Sequence, residues 1–166
     1  TYTIPSASNI AGQVFTCNFL NEKPPTIKVE KISYGGTAGF TFSKTNLTGT
    51  IGTLTTTASG VGVTSALLPV TATNTNVTIT ETLVAGYTLT SANCIDENSN
   101  YTGNFGTFGT LAANVLTVPS ASFVMGADIK CTFNNRRSTT LTLRKTWAAG
   151  SQAGHTATVT SSGFIN

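Results

Sequence analysis

A stretch at the start of this 166-residue chain reappears near its end, at a constant offset of about 114 positions. The same offset also relates residues 26–31 to residues 140–145. The matched positions are Ile4-Pro5-Ser6-Ala7-Ser8, Gly12, Cys17, Phe19 and Asn21 in the first copy, and Val118-Pro119-Ser120-Ala121-Ser122, Gly126, Cys131, Phe133 and Asn135 in the second. Because these matches need no gap and include cysteine and proline, they predict a tandemly repeated protein.

The offset divides the chain into three predicted parts. Residues 1–23 are the C-terminal strands of a preceding repeat, residues 24–137 form one complete repeat, and residues 138–166 are the N-terminal strands of the following one. Pro24-Pro25 and Arg136-Arg137-Ser138 are the predicted linkers. The expected partners are therefore adjacent copies of the same repeat, in a longer array or by head-to-tail association through donated strands.

The composition predicts an all-β fold. Threonine, valine, isoleucine and phenylalanine favour strands, while glycine and asparagine favour turns. No window has the pattern of an amphipathic helix, and no apolar run reaches the ~20 residues that cross a bilayer. Seven short strands separated by turns are typical of an immunoglobulin-like sandwich. We predict them at 26–33, 38–43, 50–57, 65–71, 76–83, 86–91 and 127–135, with a further hairpin between 101 and 118.

Several functional classes find little support in the sequence. Charged residues make up only 9% of the chain, and a nucleic-acid-binding protein would gather its basic residues into a stripe. The single histidine, His155, has Thr41 at its equivalent position, so a Ser–His–Asp hydrolase is not expected. The oxygen-rich loop Asp96-Glu97-Asn98 could hold calcium, but such loops are more often solvated. We therefore expect no enzyme, no metal and no cofactor.

In each of three predicted strands, the apolar face ends with one polar residue. Residues at alternate positions of a strand share one face of the sheet. By this rule Lys31, Glu81 and Asn135 lie on the buried faces of the first, fifth and last predicted strands. Buried charges are costly unless they are paired. We therefore expect the three side chains to meet.

Three arrangements of these residues are compatible with the sequence. In two of them the side chains meet, and in the third they are exposed and unrelated. A desolvated lysine loses its proton readily and becomes a nucleophile, and a neighbouring carboxyl group can move protons. Lys31 and Asn135 would then form an isopeptide bond, with loss of ammonia, in a single self-directed turnover. In the non-covalent alternative, Lys31 and Glu81 form a buried ion pair to which Asn135 is hydrogen-bonded.

The three cysteines fit the repeat. Cys17 and Cys131 are equivalent, so each repeat has one such cysteine and a counterpart of Cys94. We predict a Cys94–Cys131 disulfide, with the partner of Cys17 before residue 1. Three free buried thiols are the alternative.

The strand sequences resemble the prealbumin-like surface repeats of bacteria, namely the collagen-adhesin B-type and pilin-type (SpaA) domains. The resemblance rests on Ile27-Lys28-Val29-Glu30-Lys31, Thr80-Glu81-Thr82-Leu83-Val84-Ala85-Gly86-Tyr87-Thr88 and Cys131-Thr132-Phe133-Asn134-Asn135. It implies that Lys31, Glu81 and Asn135 stand in the places of the family's bond-forming lysine, acidic residue and asparagine. Lys145 and Asn21 are their equivalents in the partial repeats.

The same resemblance implies a prealbumin-like β-sandwich in an extracellular fibre, pilus-like filament or long adhesin stalk. The rival interpretation is a carbohydrate- or protein-binding adhesin module. Such a module would need a cluster of exposed aromatic side chains. Tyr101, Phe105 and Phe108 are the candidates, and we expect them to belong to the core instead.

Overall fold

The protein is described from a computed structural model, over residues 3–8, 10–139, 142, 144–146, 154, 156 and 158. The strands are β1 (Thr26–Tyr34), β2 (Gly39–Lys44), β3 (Gly52–Thr55), β4 (Val63–Thr64), β5 (Leu68–Pro69), β6 (Val77–Glu81), β7 (Tyr87–Asp96), β8 (Thr110–Ala112), β9 (Val115–Val118) and β10 (Asp128–Arg137). One short helix, α1 (Ser99–Thr102), follows β7, and two 3-10 turns lie at Ser6–Ser8 and Ser120–Ser122.

These strands form two sheets of five. The first sheet has the order β4-β1-β10-β7, with β5 also paired to β1, and the second has the order β3-β2-β6-β9-β8. β1 and β10 are parallel neighbours, and the other pairs are antiparallel. The first and last strands of the sandwich therefore lie side by side and run in the same direction.

The core lies between the sheets and follows from the alternation along the strands. Ile27 and Val29 of β1 are fully buried, as are Phe40 of β2 and Ile79 of β6. The intervening residues of the first sheet face outward and carry paired charges. Nζ of Lys28 lies 2.7 Å from the carboxylate of Glu97, and Lys130 lies near Glu97 and Glu30. The few charges on this face are thus of mixed sign, which is unlike the basic stripe of a nucleic-acid-binding surface.

The all-β sandwich predicted from the sequence is confirmed, with differences in individual strands. The predicted hairpin between 101 and 118 is the β8–β9 pair, and β7 extends beyond residue 91 to Asp96. The strand predicted at 65–71 is reduced to Leu68–Pro69. There the hydroxyl of Ser65, rather than a backbone carbonyl, accepts the N–H of Val29, and a proline has no N–H to donate. The tandem arrangement stays a prediction, since the described strands form a single sandwich.

We call the two ends of the sandwich the entry end and the exit end. At the entry end, β1 and β10 begin and β7 ends; at the exit end, β1 and β10 end and β7 begins. The chain before β1 is held at the entry end, where the N–H of Gly126 donates to the carbonyl of Lys23 at 2.7 Å. Residues 10–24 are exposed and form no strand. Among the described residues, we find no helix with the length and apolar character to cross a membrane.

Candidate cross-linking site

Lys31, Glu81 and Asn135 meet between the two sheets near the exit end. Lys31 lies on β1, Asn135 on β10 and Glu81 at the end of β6 in the opposite sheet. Their exposed fractions are 0%, 1% and 0% respectively, so all three are inside the core. A β-bulge falls at Asn135, because the pairing of β10 with β7 shifts register between Asn134 and Asn135. Bulges of this kind redirect a side chain.

The contacts among the three side chains are short. Nζ of Lys31 donates to Oδ1 of Asn135 at 2.6 Å and to the backbone carbonyl of Phe133 at 3.2 Å. Nδ2 of Asn135 donates to Oε1 of Glu81 at 2.5 Å. The other carboxylate oxygen, Oε2, lies 3.0 Å from Nζ. Oε2 makes no hydrogen bond of ordinary geometry to any described residue, so this last contact is one of charge.

Aromatic side chains enclose the site. Nζ of Lys31 lies 4.4 Å from the centre of the Phe40 ring, close enough for a cation–π contact. Phe42 and Phe133 pack edge to face with their ring centres 5.2 Å apart. Burial in these surroundings lowers the pKa of the Lys31 amine below its ordinary value of 10.5, because the charged form is desolvated. The negative charge of the Glu81 carboxylate opposes this shift.

This arrangement suits a proton carrier between two nitrogen atoms. One oxygen of Glu81 faces the Lys31 amine, and the other faces the amide nitrogen of Asn135. A carboxylate so placed can take a proton from the amine and deliver one to the amide nitrogen. The amine in turn lies against the carboxamide that it would attack. The geometry is therefore that of a nucleophile, an acid–base group and an acceptor.

The other predicted site residues are placed differently. Asn21 and Lys145, the equivalents in the partial repeats, are exposed and lie outside the sandwich. Asn134 points away from the core and donates to the hydroxyl of Ser91 at 3.1 Å. His155 lies outside the described residues.

Cys94 of β7 and Cys131 of β10 are joined by a disulfide between neighbouring strands. Both are fully buried, whereas Cys17 is a free, exposed thiol. In addition to its backbone pairing with both neighbours, β10 is thus joined to β7 by the disulfide and contacts β1 through the Lys31–Asn135 hydrogen bond.

The loop after β7 is organised by a buried carboxylate, Asp96. Its Oδ1 accepts the N–H groups of Asn98 and Asp128, and its Oδ2 accepts from the hydroxyl of Thr102 and the amide of Asn104. Four protein donors therefore occupy its oxygens. No cluster of metal-ligating side chains occurs among the described residues. The signal in the sequence was the acidic residue itself; three of its donors follow it within eight residues, and the fourth, the N–H of Asp128, comes from the start of β10.

The expectation that the aromatic candidates belong to the core is wrong for two of them. Tyr101 is 67% exposed and Phe105 is 71% exposed, whereas Phe108 is half-buried against the core. The backbone of Phe108 exchanges two hydrogen bonds with that of Cys94, which holds this residue against the sheet. Tyr101 and Phe105 lie in the loop beyond that anchor. Their exposure meets one condition of the rival binding-module interpretation, namely that aromatic side chains are available at the surface.

A family model described as a prealbumin-like fold domain (SpaA_4) matches residues 27–137, about two thirds of the chain. The chain belongs to this prealbumin-like family. The matched region runs from the start of β1 to the end of β10 and includes Lys31, Glu81 and Asn135. The resemblance noted from the three strand sequences is thereby confirmed.

Among solved structures, the chain is similar to the major pilin protein (T-13) from Streptococcus pyogenes, with 17% sequence identity and a TM-score of 0.42. The match covers 70% of this chain and 46% of the pilin, so the chain spans less than half of that protein's length. A likeness this weak does not indicate function. No curated protein sequence is similar enough to the chain to count as a relative.

Proposed function

We propose that Lys31 and Asn135 become joined by an isopeptide bond, formed within the folded domain with Glu81 as the proton carrier. The observation that supports it most strongly is the 2.6 Å contact between Nζ and Oδ1 in a site closed to solvent. Each carboxylate oxygen of Glu81 has a different nitrogen beside it. No cofactor enters the reaction.

The proposed reaction exchanges one amide for another. Lys31 gives a proton to Oε2 of Glu81, and the neutral amine attacks the side-chain carbonyl carbon of Asn135 to form the new C–N bond. Glu81 donates a proton to Nδ2, the bond between the carbonyl carbon and Nδ2 breaks, and ammonia leaves. The former amine loses its second proton to the same carboxylate, and ammonia carries this proton away as ammonium. The reaction is a single turnover, so the domain is not an enzyme in the usual sense.

The larger protein that we propose is an extracellular bacterial fibre, pilus-like filament or adhesin stalk built from tandem copies of this sandwich. The segment before β1 supports it, since it repeats the local structure that precedes β10. The N–H of Ser8 donates to Pro5 at 2.9 Å, and the N–H of Ser122 donates to Pro119 at 3.0 Å. Gly12 and Gly126, at the same offset, both have a left-handed backbone, with φ of 90° and 85°.

The proposed bond suits a protein under tension. A pull on the two termini of the sandwich acts on the start of β1 and the end of β10. Because these strands are parallel neighbours, the pull shears them past each other. A bond between Lys31 and Asn135 would carry that load directly and leave residues 32–134 free of it. The disulfide lies within the relieved part, so its contribution would be to stability.

Peptide mapping tests the bond. After digestion, the wild-type chain should yield a branched peptide in which Lys31 is joined to Asn135. The Asn135→Ala variant should lose this peptide. Asn134→Ala, the matched control one position along β10, should keep it. Two separate linear peptides from the wild type would contradict the bond and leave the non-covalent trio.

Immunogold labelling tests the location. Antibodies raised against the chain should label filaments or stalks on intact cells. Labelling that requires permeabilised cells would contradict an extracellular protein.

A second candidate function is recognition of a carbohydrate or a protein, which the exposure of Tyr101 and Phe105 favours. Exposed aromatic side chains are common at binding surfaces. A glycan array probed with the wild type and with Tyr101→Ala would detect it. Signals that disappear in the variant would support this function for sugars, and an array without signals would count against it.

A further inference from the structure

The entry end exposes an apolar cluster that the core does not use. We call Tyr101, Phe105, Val124 and Met125 the entry-end cluster; they are 67%, 71%, 37% and 39% exposed. The ring of Tyr101 lies directly over Gly126, where an added Cβ would come within 2.7 Å of the ring. The first two members belong to the loop after β7, and the other two to the turn before β10.

The chain that arrives from the preceding repeat is fixed beside this cluster. Gly126, beneath the Tyr101 ring, donates its N–H to the carbonyl of Lys23. The ammonium of Lys23 lies 2.5 Å from the carboxylate of Asp128, which also accepts the hydroxyl of Thr26 at 2.6 Å. The link between the two repeats therefore has a defined direction where it reaches the sandwich.

The distance available between repeats is short. By the internal offset, Lys23 is the equivalent of Arg137, the last residue of β10. β1 starts at Thr26, so only Pro24 and Pro25 separate the last strand of one repeat from the first strand of the next. Two extended residues span only about 7 Å, and proline restricts their backbone further. The exit end of one repeat and the entry end of the next must therefore face each other closely.

The exit end has a surface that fits this neighbour. An open depression of about 460 Å³ lies beside the point where the chain leaves the sandwich, with Gly36, Gly86, Tyr87 and Arg137 in its lining. Gly86 leaves room there for an incoming side chain, because an added Cβ at this position would meet no atom within 4 Å. The space beside Gly36 is filled by the side chains of Tyr87 and Arg137. Leu83, three residues before Gly86, is 67% exposed on the same turn.

We propose that the entry-end cluster packs into the exit-end depression of the preceding repeat, so that consecutive repeats stack as one rigid rod. This inference rests on the proposed tandem array and names the surface through which it assembles. Burial of two aromatic side chains would supply the apolar contact area. The stacked partner is a second copy of the same domain, not a sugar or a foreign protein.

The test uses the natural protein extended upstream of residue 1 by one complete domain, and it measures backbone 15N relaxation. Without an extensive interface, neighbouring domains move independently. A rigid stack predicts one shared rotational correlation time for both domains. The double variant Tyr101→Ala, Phe105→Ala should uncouple them and lower the correlation time of each domain roughly two-fold. Val61→Ala, which alters an apolar residue that is 50% exposed beside the end of β1, at the opposite end of the same domain, is the matched control and should change nothing.

The outcomes separate this inference from the array on which it rests. An upstream segment that does not fold as a prealbumin-like domain would overturn both. Two folded domains that tumble independently in the wild type would overturn the stacking alone, as would coupling that survives in the double variant. Unchanged amide spectra within each domain would show that the variants remain folded.

Discussion

The amine of Lys31 lies 2.6 Å from the side-chain amide oxygen of Asn135, although 104 residues separate them along the chain. The register partner of Asn135 on β1 is Ser33, and that of Lys31 is Phe133. The lysine side chain therefore reaches two residues along the strand direction to meet the asparagine. The parallel pairing of the first and last strands, with both residues facing inward, produces this contact.

Replacing Glu81 by glutamine should prevent the isopeptide bond, because glutamine cannot carry the protons. The variant should keep the mass of its unmodified sequence apart from the disulfide. It would also leave the Lys31 ammonium buried without a counter-charge, a change that typically costs about 3–5 kcal/mol. Intact mass and urea unfolding measure the two effects.

The control for this variant is Glu97→Gln. Glu97 pairs with Lys28 at the protein surface, and such pairs contribute at most about 1 kcal/mol. Its unfolding free energy should therefore change little, and its mass deficit should match that of the wild type. Loss of ammonia from Glu81→Gln at the wild-type rate would exclude Glu81 as the proton carrier.

The buried amine should make stability depend on pH when the bond cannot form, as in Asn135→Ala. The pKa of Lys31 is lowered in the folded state, so between this lowered value and 10.5 the unfolded state binds more protons. The free energy of unfolding should therefore rise with pH in that window. Below the window, both states are protonated and the full cost of burying the charge remains.

Urea unfolding at several pH values up to about 10.5 measures this dependence. The double variant Lys31→Met, Asn135→Ala is the control, because it lacks the titrating amine. The unfolding free energy of Asn135→Ala, relative to that of the double variant, should rise as the pH increases through the window. A difference that is constant across the alkaline range would mean that the amine of Lys31 titrates normally.

The ion pair at the entry end should contribute to stability above acidic pH. The hydrogen bond from Lys23, followed by that from Thr26, lowers the pKa of Asp128 below 3.8. This contribution is present above pH 3.8 and is lost as the pH falls through the lower folded value. Asp128→Asn should therefore destabilise the domain at pH 7, by no more than about 1 kcal/mol for so exposed a pair, and have less effect at pH 2.

Lys23→Gln is the companion variant for this prediction, measured by urea unfolding at the same two pH values. If Lys23 causes the shift, Lys23→Gln should lower the free energy of unfolding at neutral pH by about as much as Asp128→Asn does. Equal destabilisation by Asp128→Asn at pH 7 and pH 2 would show that the carboxylate charge is not involved.

Pulling single molecules by their termini should separate the two cross-links. The wild-type domain should not extend beyond the residues outside the bond, because Lys31 and Asn135 would bear the load. Lys31→Met should unfold and extend. Under oxidising conditions its extension should be shorter by about 130 Å than after reduction, since the disulfide holds a loop of 37 residues at about 3.6 Å each. A wild-type domain that unfolds fully under reducing conditions would contradict the covalent bond.

Much of the sandwich and of the site could be predicted from the alternation of apolar and polar residues along the strands. In β1, Ile27, Val29 and Lys31 share one face, and this parity alone placed a lysine in the core. The same rule placed Glu81 and Asn135 there. Each side chain of a strand lies on one of two faces of the sheet. The apolar residues at alternate positions therefore determine on which face a polar residue of the same strand lies.

Features that depend on contacts between distant segments did not follow from the sequence. Tyr101 and Phe105 are of residue types common in cores, yet both are exposed in the segment that follows β7. The bulge at Asn135 and the hydrogen bond from the N–H of Asp128 to Asp96 likewise depend on strand register and packing, which local patterns do not encode. β4 was not predicted, and β5 was predicted to be longer than it is. Side chains and a proline replace regular backbone pairing there.

The intact mass of the purified chain, measured before and after reduction, tests the central claim most directly. We predict a deficit of about 17 Da that survives reduction, because a lost ammonia leaves an amide that no reductant cleaves. The disulfide adds a deficit of about 2 Da that disappears on reduction. A reduced chain with the full mass of its sequence would contradict the isopeptide bond, and Lys31, Glu81 and Asn135 would then form a buried polar network without a covalent link.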